Sequence, residues 1–165
     1  VCMHAGFGPV RGSQSVGSLV AHLAPDRHTY WASATAAPCT SVFKPVWMDS
    51  GLPGGEPPLT ARFDPACRWW RHEQLHRMVI QDLPARLNIF ADRRDAMEGR
   101  FIQAAGAVGA GLEERRALTS ACFAEADQAE ADWLKRVDGL ASAVGVRFYY
   151  RSAWRGWNRA AHLPE

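Results

Sequence analysis

At 165 residues the chain can bury one real core. Its 47% hydrophobic and 22% charged residues exclude disorder as the default state. Nineteen basic and seventeen acidic residues, net +2, are interspersed, which argues against a nucleic-acid or membrane partner.

The first stretch, Val1–Met48, reads as two β-hairpins joined by the turn-forming Ala24-Pro25-Asp26-Arg27. Val1–Phe7 is a short apolar run that Gly6, Gly8 and Pro9 break. Arg11-Gly12-Ser13-Gln14-Ser15 is a polar connector. Val16–Leu23 alternates Val16, Ser18, Val20 and His22 with Gly17, Leu19, Ala21 and Leu23, the period of a strand. Thr29–Thr35 and Thr40–Met48 are rich in Tyr, Trp, Val, Thr and Phe and read as two more strands. Pro45 denies a ladder donor and places the last of them at an edge or a bend.

Asp49–Pro65 holds four prolines and three glycines and is predicted as a loop. It separates an antiparallel strand part, 1–48, from a helical part, 66–165. A first helix is expected from Ala66 to about Asp82, stopped by Leu83-Pro84. A second is expected over Ala85–Ala107, closing in the Gly106–Gly111 turn. The third carries Leu118, Cys122, Ala126, Ala129, Trp133, Val137, Leu140 and Val144 on one stripe and stops at Gly145. The aromatic tail, Val146–His162, is expected to pack back on these helices.

Cys2, Cys39, Cys67 and Cys122 form no CxxC pair. The spacing fits reduced thiols in a cytoplasm and leaves pairing open. No apolar run approaches about 18 residues and no signal-peptide pattern occurs, so a soluble, cytoplasmic chain is expected. A start at Val1 inside an apolar run suggests a piece of a longer protein.

His72-Glu73-Gln74-Leu75-His76 matches HExxH on a predicted helix. In such a motif two histidines at i and i+4 hold zinc and the glutamate activates water. Asp95 or Glu98 would be the third ligand. Arg71 and Arg77 flank the motif with positive charge, which opposes a dication. The competing reading is a helix whose His and Glu make hydrogen bonds and ion pairs while Trp69 and Trp70 pack inward.

The runs Cys2–Gly6 (CMHAG), Arg11, Ser13-Gln14-Ser15, Gly17–Leu23, Ala37–Trp47 (APCTSVFKPVW) and Cys67–Arg77 (CRWWRHEQLHR) together resemble the secernin/dipeptidase family of N-terminal-nucleophile (Ntn) hydrolases. The likeness covers most of the chain but only the C-terminal half of the family's domain. It implies an α+β fold: antiparallel strands of half an αββα sandwich, followed by about three long helices. It also implies an N-terminal Cys that attacks an amide carbonyl with its own α-amino group as base. Val1 has no nucleophilic side chain and Cys2 has an acylated nitrogen, so the nucleophile is expected outside this chain.

By position, the resemblance makes His4 the candidate on the oxyanion side and Arg11 the candidate charge, with Ser13 and Gln14 as polar neighbours. His4 serves equally well as a strand histidine bonded to backbone, and Arg11 as a solvated loop residue. Lys44 is expected to cover an edge strand, and Cys39 and Thr40 to pack within the sheet. The implied substrate is a peptide or amide, with no cofactor. The implied partner is the missing N-terminal half or, to cover a bare sheet face, a second copy. The rival classes are a zinc peptidase through His72, Glu73 and His76, and a non-catalytic Ntn-like interaction protein.

Overall fold

A computed structural model describes residues 2–6, 11–25, 27–140 and 148–164. The fold is mixed α and β. Strands β1 (Leu19–Leu23), β2 (His28–Ala32) and β3 (Lys44–Val46) precede helices α1 (Arg68–Val79), α2 (Leu83–Leu87), α3 (Ala91–Ala107), α4 (Leu112–Asp138) and α5 (Phe148–Ala161). A 3₁₀ turn, Ile80–Asp82, links α1 to α2.

The strands form one antiparallel meander in the order β1-β2-β3, not two hairpins. Leu19 pairs with Ala32, Leu23 with His28 and Tyr30 with Val46. The expected first strand is absent from residues 2–6. Gly6 sits at φ +82°, and a Cβ there would lie 2.7 Å from Trp154 Nε1, so the chain turns where only glycine fits. Isolated backbone bonds nonetheless carry the sheet outward. The Ser15 amide donates to Met3 O and the Ala37 amide to Ser15 O, both at 2.9 Å. Strand β2 ends before Ala34 and Ala37, which take φ of 54° and 45°, a conformation no strand continues through. Thr40 lies in a turn and only Lys44–Val46 of the expected last strand is extended.

Pro45 is on the edge strand β3, as its missing N–H demands, and its carbonyl accepts from Thr119 Oγ1 on α4 at 3.1 Å. Lys44 is fully buried rather than covering the edge. Its Nζ donates to the carbonyls of Ser33 and Val42 and lies 5.2 Å from the Phe123 ring. Burial pulls its pKa down to about 8.

The helices differ from expectation mainly at their ends. Pro84 opens α2 instead of only closing α1, because proline suits a first turn; Asp82 accepts from the Ala85 amide. The segment expected as one helix over 85–107 is broken at Asn88–Phe90. There Phe90 leaves helical geometry to stack on Trp133 at a centroid distance of 4.6 Å. Helix α4 starts six residues before Leu118 and stops at Gly139; the expected end at Val144-Gly145 lies outside the described residues, as do Gly8, Pro9 and Asp26. Glu113 and Glu114 in its first turn and Lys135 and Arg136 in its last complement the helix dipole.

The stripe on α4 is the core. Cys122, Ala126, Trp133 and Val137 bury against Leu75 and Val79 of α1, Met97 and Phe101 of α3, and Val42 before β3. Strand and helical parts therefore share one core, although Asp49–Pro65 is a loop as composition demands. Arg68 clamps that loop, with 3.0 Å to Glu56 and a bidentate pair at 2.7 and 2.9 Å to Asp127 on α4. The tail does pack back: Tyr150 and Trp154 of α5 cluster with Ala5 and Ile80, and Ala161 and Leu163 with Cys67 and Trp70. Among the described residues there is one sheet, and the second sheet of a sandwich is not present. All five residues of β1 are exposed.

Candidate functional site

Helix α1 carries three ionisable side chains with no solvent exposure, His72, Glu73 and His76. Residues four apart start from the same helix face, yet His72 and His76 reach different partners, and Glu73 sides with His76. His72 Nε2 lies 3.1 Å from Thr40 Oγ1, and its Nδ1 lies 3.0 Å from Glu130 on α4. Burial opposes ionisation of Glu130, but His72, Lys44 and Arg68 outweigh it and hold its carboxyl below the usual range.

Glu73 and His76 turn toward the first segment of the chain. Glu73 takes Arg77 Nε at 2.7 Å, His76 Nδ1 at 3.0 Å and Gln14 Nε2 at 3.0 and 3.1 Å. Burial would raise its pKa, yet the hydrogen bond from His76, with Arg77, brings it below the ordinary value. His76 Nε2 in turn meets His4 Nδ1 at 3.1 Å, and His4 Nε2 meets Cys39 Sγ at 3.3 Å. Burial lowers the pKa of both histidines against the pull of Glu73, which favours their neutral forms.

That fixes the protons. A carboxylate only accepts, so His76 carries its hydrogen on Nδ1 and leaves Nε2 as acceptor. His4 must then donate from Nδ1, and its Nε2 lone pair faces Cys39. The thiol S–H of Cys39 completes the chain. Cys39 is held at the start of a turn by Arg94, whose Nη1 donates to the Cys39 carbonyl at 2.6 Å. Burial, and then the neighbouring Cys2 thiol, push Cys39 up to about 12.

Four residues were expected on the substrate side, and the structure divides them. His4 and Gln14 join the buried network, whereas Arg11 and Ser13 are exposed. Neutral His4 offers an acceptor at Nε2, the opposite polarity from an oxyanion donor. The amide hydrogens of Gln14 point at Glu73, and its Oε1 is buried without a partner among the described residues. Gly12 and Gln14 rim a cleft of about 340 Å³ with Glu73 and Arg77 on one side and Trp70, Trp154 and Trp157 around it. The Arg77 guanidinium lies 4.9 Å from the Trp154 ring and donates to Asn158 Oδ1 at 2.7 Å.

The HExxH residues do not converge on a common point. His72 faces Thr40 while His76 faces His4, and Glu73 is committed to Arg77, His76 and Gln14. Asp95, itself exposed, pairs with Arg94, and Glu98 accepts from the Phe43 amide. The group of three potential ligands that does converge among the described residues is Cys2, His4 and Cys39. Sequence reasoning placed Cys39 and Thr40 in sheet packing and so missed both. The available signal was Cys2-x-His4, since residues two apart on an extended chain share a side.

Among the described residues no helix is long and apolar enough to cross a membrane. Comparison with known proteins finds no matching family model and no curated protein or solved structure of significant similarity.

Proposed function

We propose that this chain is the C-terminal portion of an Ntn-type amide or dipeptide hydrolase, resembling the secernin/dipeptidase family, and that it works on a nucleophilic Cys supplied by a missing N-terminal half. One observation supports this above the rest. Two of the stretches that carry the resemblance, around residues 2–15 and 67–77, are distant in sequence yet meet in one buried hydrogen-bonded network beside a cleft. A fold held only by apolar packing has no need to bury Glu73 and Arg77 together, because desolvating the pair costs several kcal/mol per ion.

In this reading His4, Gln14, His76 and Glu73 hold the cleft wall rigid. Arg11, exposed at the rim, meets the substrate carboxylate, with Ser13 beside it. Gln14 Oε1 is an acceptor for a substrate N–H. The missing half covers β1, where Leu19, Val20 and Leu23 are each more than half exposed and the outer edge of the sheet has no partner strand among the described residues. The isolated chain is then inactive and associates, with its other half or with a second copy.

The test is to join the chain to an N-terminal half that begins with Cys and to assay dipeptide hydrolysis before and after thiol alkylation. Activity in the joined protein, abolished by alkylation and absent from the isolated chain, is expected. Hydrolysis by the isolated chain refutes the proposal.

A further inference from the structure

We infer that Cys2, His4 and Cys39 form a site for a soft divalent metal ion, zinc by ligand chemistry, with the fourth coordination position open. The three donor atoms, Cys2 Sγ, Cys39 Sγ and a ring nitrogen of His4, all lie within 4.8 Å of one another. A tetrahedral zinc ion with Zn–S of about 2.3 Å and Zn–N of about 2.0 Å spaces sulfur and nitrogen about 3.5 Å apart. Cys39 Sγ and His4 Nε2 are 3.3 Å apart, within tenths of an ångström of that spacing.

The chemistry behind the donors fits as well as the spacing. A histidine ligand must present a lone pair and is commonly oriented by a hydrogen bond from its other nitrogen. Here Glu73 fixes the tautomer of His76, and His76 fixes that of His4. The lone pair left on His4 Nε2 faces the sulfur. Two residues hold the neighbouring backbone in place: Ser15 receives and donates at Met3, and Arg94 anchors the Cys39 carbonyl. Two thiolates and a neutral imidazole are a borderline-soft donor set that suits zinc and disfavours magnesium or calcium.

Binding exchanges protons for metal. Each thiol loses its hydrogen to the buffer as its sulfur bonds the ion, and two thiolates neutralise the dication. The burial and thiol–thiol proximity that keep Cys39 protonated are reversed by the ion's own charge. The ion would tie the first segment to the turn before β3. These ligands are distinct from the HExxH helix, and the inference does not depend on the hydrolase reading.

The experiment is a cobalt titration of the reduced, metal-stripped 165-residue chain, followed anaerobically by absorption, with zinc added afterwards. One equivalent of cobalt is expected to saturate a thiolate-to-cobalt charge-transfer band with the intense visible bands of four-coordinate cobalt, and zinc is expected to bleach both. Cys39→Ser and Cys2→Ser should each weaken binding at least tenfold and diminish the charge-transfer band, while Cys67→Ala leaves it unchanged. Glu73→Gln, acting through His76, should weaken it about 10–100-fold. Circular dichroism confirms that each variant is folded. A folded, reduced wild-type chain with no charge-transfer band overturns the inference. So does a band that survives in both Cys2→Ser and Cys39→Ser.

Discussion

Glu73 is the residue on which the buried network turns, and replacing it with Gln measures how much that network contributes. The carboxylate accepts from three donor groups: Arg77 Nε at 2.7 Å, His76 Nδ1 at 3.0 Å and Gln14 Nε2 at 3.0 and 3.1 Å. A Gln amide keeps the volume but has one accepting oxygen, so its NH2 must oppose at least one of these N–H groups. Hydrogen bonds to a charged group contribute about 1.5–3 kcal/mol each, and Arg77 also loses the counter-charge beside a side chain only 10% exposed. The expected cost of Glu73→Gln is about 3 kcal/mol. For a chain of this size that lowers Tm by about 6–12 °C. Urea unfolding should show a lower midpoint with an unchanged slope. The double variant Glu73→Gln/Arg77→Met should lose less than the sum of the single losses, because it removes the opposed cation. A Tm within about 2 °C of wild type would refute the reasoning, since it would mean that these contacts exchange with water at no cost.

Other outcomes follow from the same structure. Stability should fall as pH drops below about 6.5: burial lowers the folded-state pKa of His4 and His76, so below the unfolded value only the unfolded chain takes up their protons. It should fall again below about 4.5, where Glu73 and Glu130, held low in the folded state, lose their advantage over the unfolded chain; chemical denaturation across pH checks both steps. Phe90→Ala removes a fully buried ring stacked on Trp133 and should cost about 3–5 kcal/mol, read as a lower urea midpoint. Leu19→Lys with Leu23→Lys alters two exposed positions of β1 and should change stability by less than about 0.5 kcal/mol. In light scattering the same pair should shift the isolated chain toward monomer.

Periodicity found what periodicity can find. Cys122, Ala126, Trp133 and Val137 of the α4 stripe are buried at positions that its 3.6-residue spacing requires, and Tyr150 and Trp154 of the tail return to Ala5 and Ile80, whereas Tyr149 stays exposed. Boundaries set by tertiary contacts were not legible. Phe90 breaks a helix that its local propensity would continue, because the space beside Trp133 takes its ring. The 2–6 run turns at Gly6, at φ +82°, where Trp154, far along the chain, leaves no room for a Cβ. For the site, the resemblance singled out His4 and Gln14, and HExxH singled out His72, Glu73 and His76. The sequence does not tell that Glu73 and His76 orient His4, since that depends on α1 lying against the first segment. Cys39 was hidden for the same reason: its position beside His4 is created by a turn that Ala37, at φ 45°, makes possible.

The measurement that bears most directly on the central claim locates the reactive thiol. The chain joined to an N-terminal half beginning with Cys is treated with limiting iodoacetamide, with and without a dipeptide substrate, and the adduct is mapped by peptide mass spectrometry. One adduct, on the N-terminal Cys, is expected to track the loss of activity and to be slowed by substrate, while Cys2 and Cys39 stay unmodified. Loss of activity that tracks an adduct on Cys39 or Cys2 would contradict it, because the nucleophile would then belong to this chain.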